Sequence, residues 1–379
     1  QKLVYESALL AAKKSSISDK NVIIVKGGPG TGKSVVAINL LAELTKQGLV
    51  AQYVTRNSAP REVFQVMLTG KFTKSRISNM FTSSGSFHSL ENNTFDALII
   101  DEAQRLNLKS GLFSNKGNNQ IEELINSSKF SIFFIDEDQR IHIKDIGEIE
   151  LIKQLAENND ASVQVYELDS QFRCNGSDGY LAWIDDVLQI RETANTTIND
   201  IDYDVQVIDS PSEIHDKIKN LNRENNKSRM LAGYCWKWVS KKNPEEKDIV
   251  IGQYEATWNL TEHGQAWIIH PESVLEIGCI HTCQGLELDY SGVIIGPDFI
   301  VRNGKVITDV SKRASTDKSI HGYKKMHEED PLAAELLGER IIKNTYRVLL
   351  SRAMKGTFIY STDEETQKYF KQRTTNATG

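Results

Sequence analysis

The chain has 379 residues, 25% of them charged, and a formal net charge of −6. That length asks for two domains rather than one. The acidic balance argues against a protein coated along its surface in nucleic acid, while leaving room for a locally basic channel. No apolar run reaches the roughly 20 residues that cross a bilayer, no signal-peptide pattern opens the chain, and the first residue is Gln1 rather than Met, as in a trimmed product or a piece of something longer. Cys174, Cys235, Cys279 and Cys283 include no C-x-x-C pair. Zinc and a disulfide framework are therefore unexpected, and the thiols read as reduced in a cytoplasmic protein.

In chain order, "QKLVYESALLAAKK" reads as a helix, and Val22–Val25 as a buried parallel strand. Gly27 to Ser34 then satisfy G-x-x-x-x-G-K-[ST], with Val35–Lys46 as the helix that follows. Gly28, Pro29, Gly30, Thr31 and Gly32 curl the backbone so that N–H groups face phosphate oxygens. Lys33 neutralises the β- and γ-phosphates, Ser34 offers its hydroxyl to Mg²⁺, and the helix N-terminus adds its dipole. The expected ligand is a nucleoside triphosphate, ATP, with Mg²⁺.

"FDALIIDEAQRL" places a second strand, Ala97–Ile100, ahead of Asp101 and Glu102. A carboxylate at that strand end holds Mg²⁺ through water, which is the role expected of Asp101; the next, Glu102, polarises a water for in-line attack on the γ-phosphate. A third strand in "SIFFIDEDQRI" ends near Gln139, a group able to sense the γ-phosphate, and Asn119–Ser127 reads as a helix. Further along come "LDSQFRCNG" with Arg173, "YCWKWVSKK" with Trp236 and Trp238 on one strand face, "IHTCQGLELDYSGVIIG" with His281, Thr282, Gly285 and Glu287, and "TYRVLLSRAMKGTFIY" with Arg352. Val301–Pro331, polar and lysine-rich, reads as a mobile surface insertion, and Asn222–Ser228 as a second soft stretch.

This order of motifs resembles the superfamily 1 helicases. "YVTRNSAPREV", "SQFRCNGSDGYLAWID" and "NTYRVLLSRAMKGTFIY" look closer still to the Schlafen group-three-like DNA/RNA helicase domain of prokaryotic ATP-binding proteins. The resemblance covers nearly the whole chain. It implies two RecA-like P-loop lobes, α/β with mostly parallel sheets and an ATP cleft between them, divided as residues 1–163 and 164–379. It implies a phosphate sensor at Gln139, arginine fingers at Arg173 and Arg352, a nucleotide contact at Gly285, a Glu287 that touches the nucleotide ribose or helps couple the domains, and an adenine-reading glutamine at Gln1. By the same resemblance Thr55, Asn57, Ser58, Phe87 and His88 of the first lobe, and Trp236, His281 and Thr282 of the second, touch a single strand of DNA or RNA. Two positions depart from the family pattern: Ile135 stands where helicases usually have glycine, and Gln284-Gly285 is nearer the 5′-to-3′ branch than the usual Lys-Gly.

The residues leave bland alternatives open. Arg173 could pair with Asp169 or Asp178, Arg352 could close an ion pair, and Trp236 and Trp238 could be core. The leading expectation is nucleic-acid-dependent ATP hydrolysis driving translocation on, or remodelling of, DNA or RNA. The alternative is an ATP-dependent switch controlling a partner or fused nuclease in antiviral defence. A P-loop kinase is disfavoured, since phosphoryl transfer to an acceptor needs a lid and an acceptor pocket.

Overall fold

A computed structural model describes residues 1–57, 77, 79–111, 115–168, 178–198, 201–259, 267–283 and 287–374. It divides into two compact units: Gln1–Arg140 with Lys144–Gln171, and Ile141–Ile143 with Phe172–Gly379.

The strands of the first unit are β1 (Asn21–Gly27), β2 (Ala51–Val54), β3 (Phe81–Thr82), β4 (Phe95–Ile100), β5 (Ser128–Ile135) and β6 (Ser162–Leu168). They form a parallel sheet in the order β3-β2-β4-β5-β1-β6. The expected division after residue 163 falls inside β6. Pairing of Ser162–Leu168 along Asn21–Gly27 holds that strand in the first unit, so the boundary lies further along the chain.

Side-chain alternation between two covered faces explains why β1, β4 and β5 carry continuous apolar runs. Ile23 and Val25 of β1, Ala97 and Ile99 of β4, and Phe130, Ile132 and Phe134 of β5 enter one core. Val22 and Ile24, Leu98 and Ile100, and Phe133 and Ile135 enter another on the opposite face. Helices α1 (Lys2–Lys14) and α2 (Lys33–Lys46) cover the first face through Val4, Ala8, Val36 and Leu40; α3 (Gln120–Asn126) and α4 (Ile149–Glu157) cover the second through Ile121, Leu124 and Ile152. The α3 start is set by Asn119, whose side chain accepts from the Ile121 amide at 3.0 Å.

In the second unit α5 (Asp178–Val187), β7 (Asp204–Val207), α6 (Pro211–Asn225), β8 (Ser228–Ala232), β9 (Ile249–Ile251), β10 (Tyr254–Ala256), β11 (Ile277–Gly278), α7 (Ile280–Cys283) and β12 (Leu288–Ile295) follow in order. Then come β13 (Phe299–Arg302), β14 (Lys305–Thr308), α8 (Tyr323–Glu329), α9 (Pro331–Leu350), β15 (Ala353–Ser361) and α10 (Glu364–Thr374). A parallel sheet runs β11-β8-β12-β15-β7. Both units are therefore α/β layers built on parallel sheets.

The expected mobile insertion is a folded substructure. β13 and β14 make a hairpin turned by Asn303 and Gly304, both with positive φ (50° and 74°), the backbone that a two-residue type I′ turn requires. Behind it Arg313, fully buried, lies 2.5 Å from Asp317 and 3.2 Å from Asp298. Burial alone would raise the Asp317 carboxyl, but the Arg313 charge beside it holds it well below the usual carboxylate range. Composition suggested a solvated loop; the buried ion triplet, invisible to composition, pins it. Asn222–Ser228 is likewise built: Asn226 caps α6 in the left-handed conformation, and the Asn222 and Asn226 side chains accept from the buried Arg229 at 2.6 and 2.8 Å.

Candidate nucleotide site

The turn after β1 has Gly30 and Gly32 at φ 76° and 85°, a region costly for residues with a Cβ. Lys33 opens α2 and is 8% exposed. Its ammonium donates to the Gly27 and Gly28 carbonyls at 2.5 and 2.7 Å, inside the curl of its own loop. Thr31 closes the turn by donating its hydroxyl to Gly28 at 3.0 Å.

Ser34, one residue into the same helix, donates to Asp101 Oδ2 at 2.7 Å. Asp101 follows β4, its amide bonded to the Val54 carbonyl at 2.9 Å. A second hydroxyl reaches the same carboxylate oxygen: Tyr53 of β2 donates to Oδ2 at 2.6 Å. Burial, and then the Asp101 charge, push the Tyr53 phenol well above its ordinary value, so it stays a donor. A hydroxyl and a carboxylate in contact are the hard oxygen donors that Mg²⁺ selects, with its other ligands left to phosphate and water. Among the described residues no group of three or more His, Cys, Asp or Glu could hold a metal. The residues fit Mg²⁺ and would hold it through Ser34 and Asp101.

Glu102 sits in the left-handed region (φ 55°, ψ 44°), a strained backbone for a non-glycine residue. Its Oε2 accepts from Gln104 Nε2. Gln104 Oε1 accepts the Asp136 amide at 3.2 Å, and Asp136 Oδ2 accepts Gln139 Nε2 at 2.7 Å. A continuous run of hydrogen bonds thus joins Glu102 at the end of β4 to Gln139 past the end of β5. Gln139 is 3% exposed, and its carbonyl Oε1 has no hydrogen-bond partner among the described residues. Tyr53, Gln104 and Asp136 were not singled out for a role by sequence. Gln104 was in the quoted motif, but its bond to the Asp136 amide exists only through β4–β5 pairing.

Beside the loop, Gln1 Nε2 donates to the Thr31 carbonyl at 2.8 Å. A cleft of about 330 Å³ opens there, lined by Gln1, Lys2, Tyr5, Val35, Val36 and Asn39. Its walls are apolar at Tyr5, Val35 and Val36, with two side-chain amides, Gln1 and Asn39, and the Lys2 ammonium at its edge. Pro29 is buried and Gly28 half-buried within the loop.

Ser58, Arg173 and Gly285 lie outside the described residues. Glu287 is exposed immediately before β12. Arg352 is 2% exposed; its Nη1 donates to the Cys283 carbonyl at 3.0 Å, tethering the end of α7. Thr55 is 1% exposed, with no partner for Oγ1 among the described residues, and Asn57 is half-buried. Half-buried His88 approaches the Gly85 carbonyl with Nδ1 at 3.1 Å. Thr282 spends its hydroxyl on the Cys279 backbone, and His281 lies 3.3 Å from Asp317.

Two expectations are corrected. Phe87 is 2% exposed and packs in the second core with its ring 5.8 Å from that of Phe95, so it supports the sheet and offers no face to a base. Trp236 and Trp238 do not lie on a strand; Trp236 is half-buried 6.5 Å from the Trp258 ring, and its carbonyl accepts from Trp258 Nε1. The aromatic content of both stretches was legible, but the rings packed beside them, Phe95 and Trp258, come from other segments.

Comparison with known proteins places the chain in a family. The model of the family described as Schlafen group 3, DNA/RNA helicase domain, matches residues 20–363. The uncharacterized protein YPL245W of Saccharomyces cerevisiae is 21% identical, over 94% of this chain and 85% of that protein. Among solved structures, arterivirus nonstructural protein 10 (helicase) with DNA is 11% identical at a TM-score of 0.37, over 97% of this chain and 65% of that one. AMPPCP-bound DnaA from Aquifex aeolicus is 20% identical at a TM-score of 0.26, over 50% and 51%. The chain spans less than two thirds of either solved chain.

Proposed function

We propose that this chain, which belongs to the Schlafen group 3 DNA/RNA helicase domain family, is a motor that hydrolyses ATP in response to single-stranded nucleic acid. The supporting observation is the gathering of Ser34, Asp101, Glu102 and Gln139 at the carboxyl ends of β1, β4 and β5, where open α/β sheets bind ligands.

In this reading the loop amides and Lys33 bind the triphosphate, and the Gln1 cleft takes the adenine. Mg²⁺, held by Ser34 and Asp101, supplies charge neutralisation to the phosphates. Glu102 accepts a proton from the water whose oxygen bonds to the γ-phosphorus as the bridging P–O bond to the β-phosphate breaks, giving ADP and phosphate. The buried Gln139 carbonyl supports a role in accepting a hydrogen bond from that water, because an unmet buried acceptor costs about 1–3 kcal/mol. Its link through Asp136 and Gln104 to Glu102 then reports the phosphate state. Arg173 and Arg352 serve transition-state charge, and Thr55, Asn57, Ser58, His88, Trp236, His281 and Thr282 serve the strand.

A motor must hold its track differently in its two nucleotide states. Fluorescence anisotropy of labelled single strands should show affinities that differ by at least about fivefold between a non-hydrolysable ATP analogue and ADP. The logarithm of each affinity should fall linearly with log salt. Equal affinity in both states, or no binding in either, would remove the proposal.

A further inference from the structure

We propose that Tyr53 is a positioning residue for the cation carboxylate, its buried hydroxyl fixing Asp101 in the one orientation that serves Mg²⁺. The inference deepens the proposed nucleotide site and rests on it.

Register places the two groups together. β2 pairs with β4 so that Tyr53 lies beside Ile99 and Val54 beside Ile100, and the Asp101 amide closes on the Val54 carbonyl. Tyr53 turns its ring into the core shared with Val36, Ala37 and Leu40 of α2, the helix whose first turn carries Ser34. Two elements, β2 and α2, thus deliver hydroxyl protons to one oxygen of one carboxylate, at 2.6 and 2.7 Å. The other oxygen, Oδ1, accepts the Glu102 amide at 2.9 Å. A carboxylate has about four lone-pair directions. Among the described residues three are taken, which leaves one, on Oδ1, for a ligand.

A buried phenol usually finds an acceptor, and a backbone carbonyl would serve. Here the acceptor is the carboxylate that the motif assigns to the cation, and a hydrogen bond to a charged group is the stronger kind. With Ser34 as the only side-chain restraint, Asp101 could rotate whenever that hydroxyl turned to a ligand. The Tyr53 proton removes that freedom. Partners of this kind orient ligands, and their loss typically costs about 10–100-fold in metal affinity.

The test uses the full chain and Mn²⁺ as the spectroscopic probe. Electron paramagnetic resonance titration of Mn²⁺ in the presence of ADP should show binding to the wild-type chain and an affinity at least about tenfold weaker in Tyr53→Phe. ADP affinity in EDTA should be the same in both proteins. Tyr53→Leu is a second variant without the hydroxyl, so a folding failure of one, seen by thermal melting, leaves the other readable. Phe81→Leu, which disturbs the ring packed 5.5 Å from Tyr53 and spares the hydroxyl, should leave Mn²⁺ affinity unchanged. Wild-type Mn²⁺ affinity in the Tyr53 variants, or an equal loss in Phe81→Leu, would overturn the inference while the nucleotide site stands. Failure of the wild-type chain itself to take Mn²⁺ with ADP would remove the nucleotide site, and Tyr53 with it.

Discussion

Replacing Lys33 by alanine is expected to lower ATP turnover by at least about 100-fold while the chain remains folded. The ammonium is the one side-chain cation within the phosphate curl in the described structure, 2.5 and 2.7 Å from the Gly27 and Gly28 carbonyls. A triphosphate in the same curl would exchange those neutral acceptors for charged ones, and charge-assisted bonds are roughly twice as strong. Loss of a single preorganised donor to developing charge costs about 10²–10³ in rate. Lys33 is not part of the apolar core of α2, which is built by Val36, Ala37, Leu40, Leu41 and Leu44. Circular dichroism and melting of Lys33→Ala should therefore match the unaltered chain. Steady-state phosphate release reads the prediction, and an unchanged rate would dismiss the assignment of the loop.

Glu102→Gln separates binding from chemistry. The amide keeps the size of the side chain and can still accept from Gln104, so the run of hydrogen bonds to Gln139 survives. What disappears is the base. General base catalysis contributes about 10²–10⁴ in rate, and a fall in kcat of that order is expected, with ATP affinity within about twofold of wild type. Equilibrium binding of a fluorescent ATP analogue alongside single-turnover hydrolysis checks both halves. A fall in affinity equal to the fall in rate would mean that Glu102 holds nucleotide instead of activating water.

The phosphate loop was legible because its requirements are local. Gly30 and Gly32 occupy positive φ that few other residues accept, and a β-branched strand and an apolar helix flank them within a few residues. The ends of β4 and β5 were legible for the same reason: an apolar run stops where polar residues begin. What sequence could not supply was register. Tyr53 lies 48 positions from Asp101, and only the pairing of β2 with β4 brings them together. Phe87 failed as a base-stacking candidate because Phe95 and the second core claim its ring. The insertion failed as a mobile loop because Arg313 finds Asp298 and Asp317, neither of them marked by composition. Arg352 stands between two apolar segments in sequence, and the bond from its Nη1 to the Cys283 carbonyl 69 positions away is one that no local pattern marks.

Steady-state ATP hydrolysis with and without single-stranded DNA, single-stranded RNA and duplex tests the motor reading most directly, with Glu102→Gln as the control for the site. The account predicts stimulation by at least one single strand, absent from Glu102→Gln. Hydrolysis at one rate whatever polymer is added would contradict it.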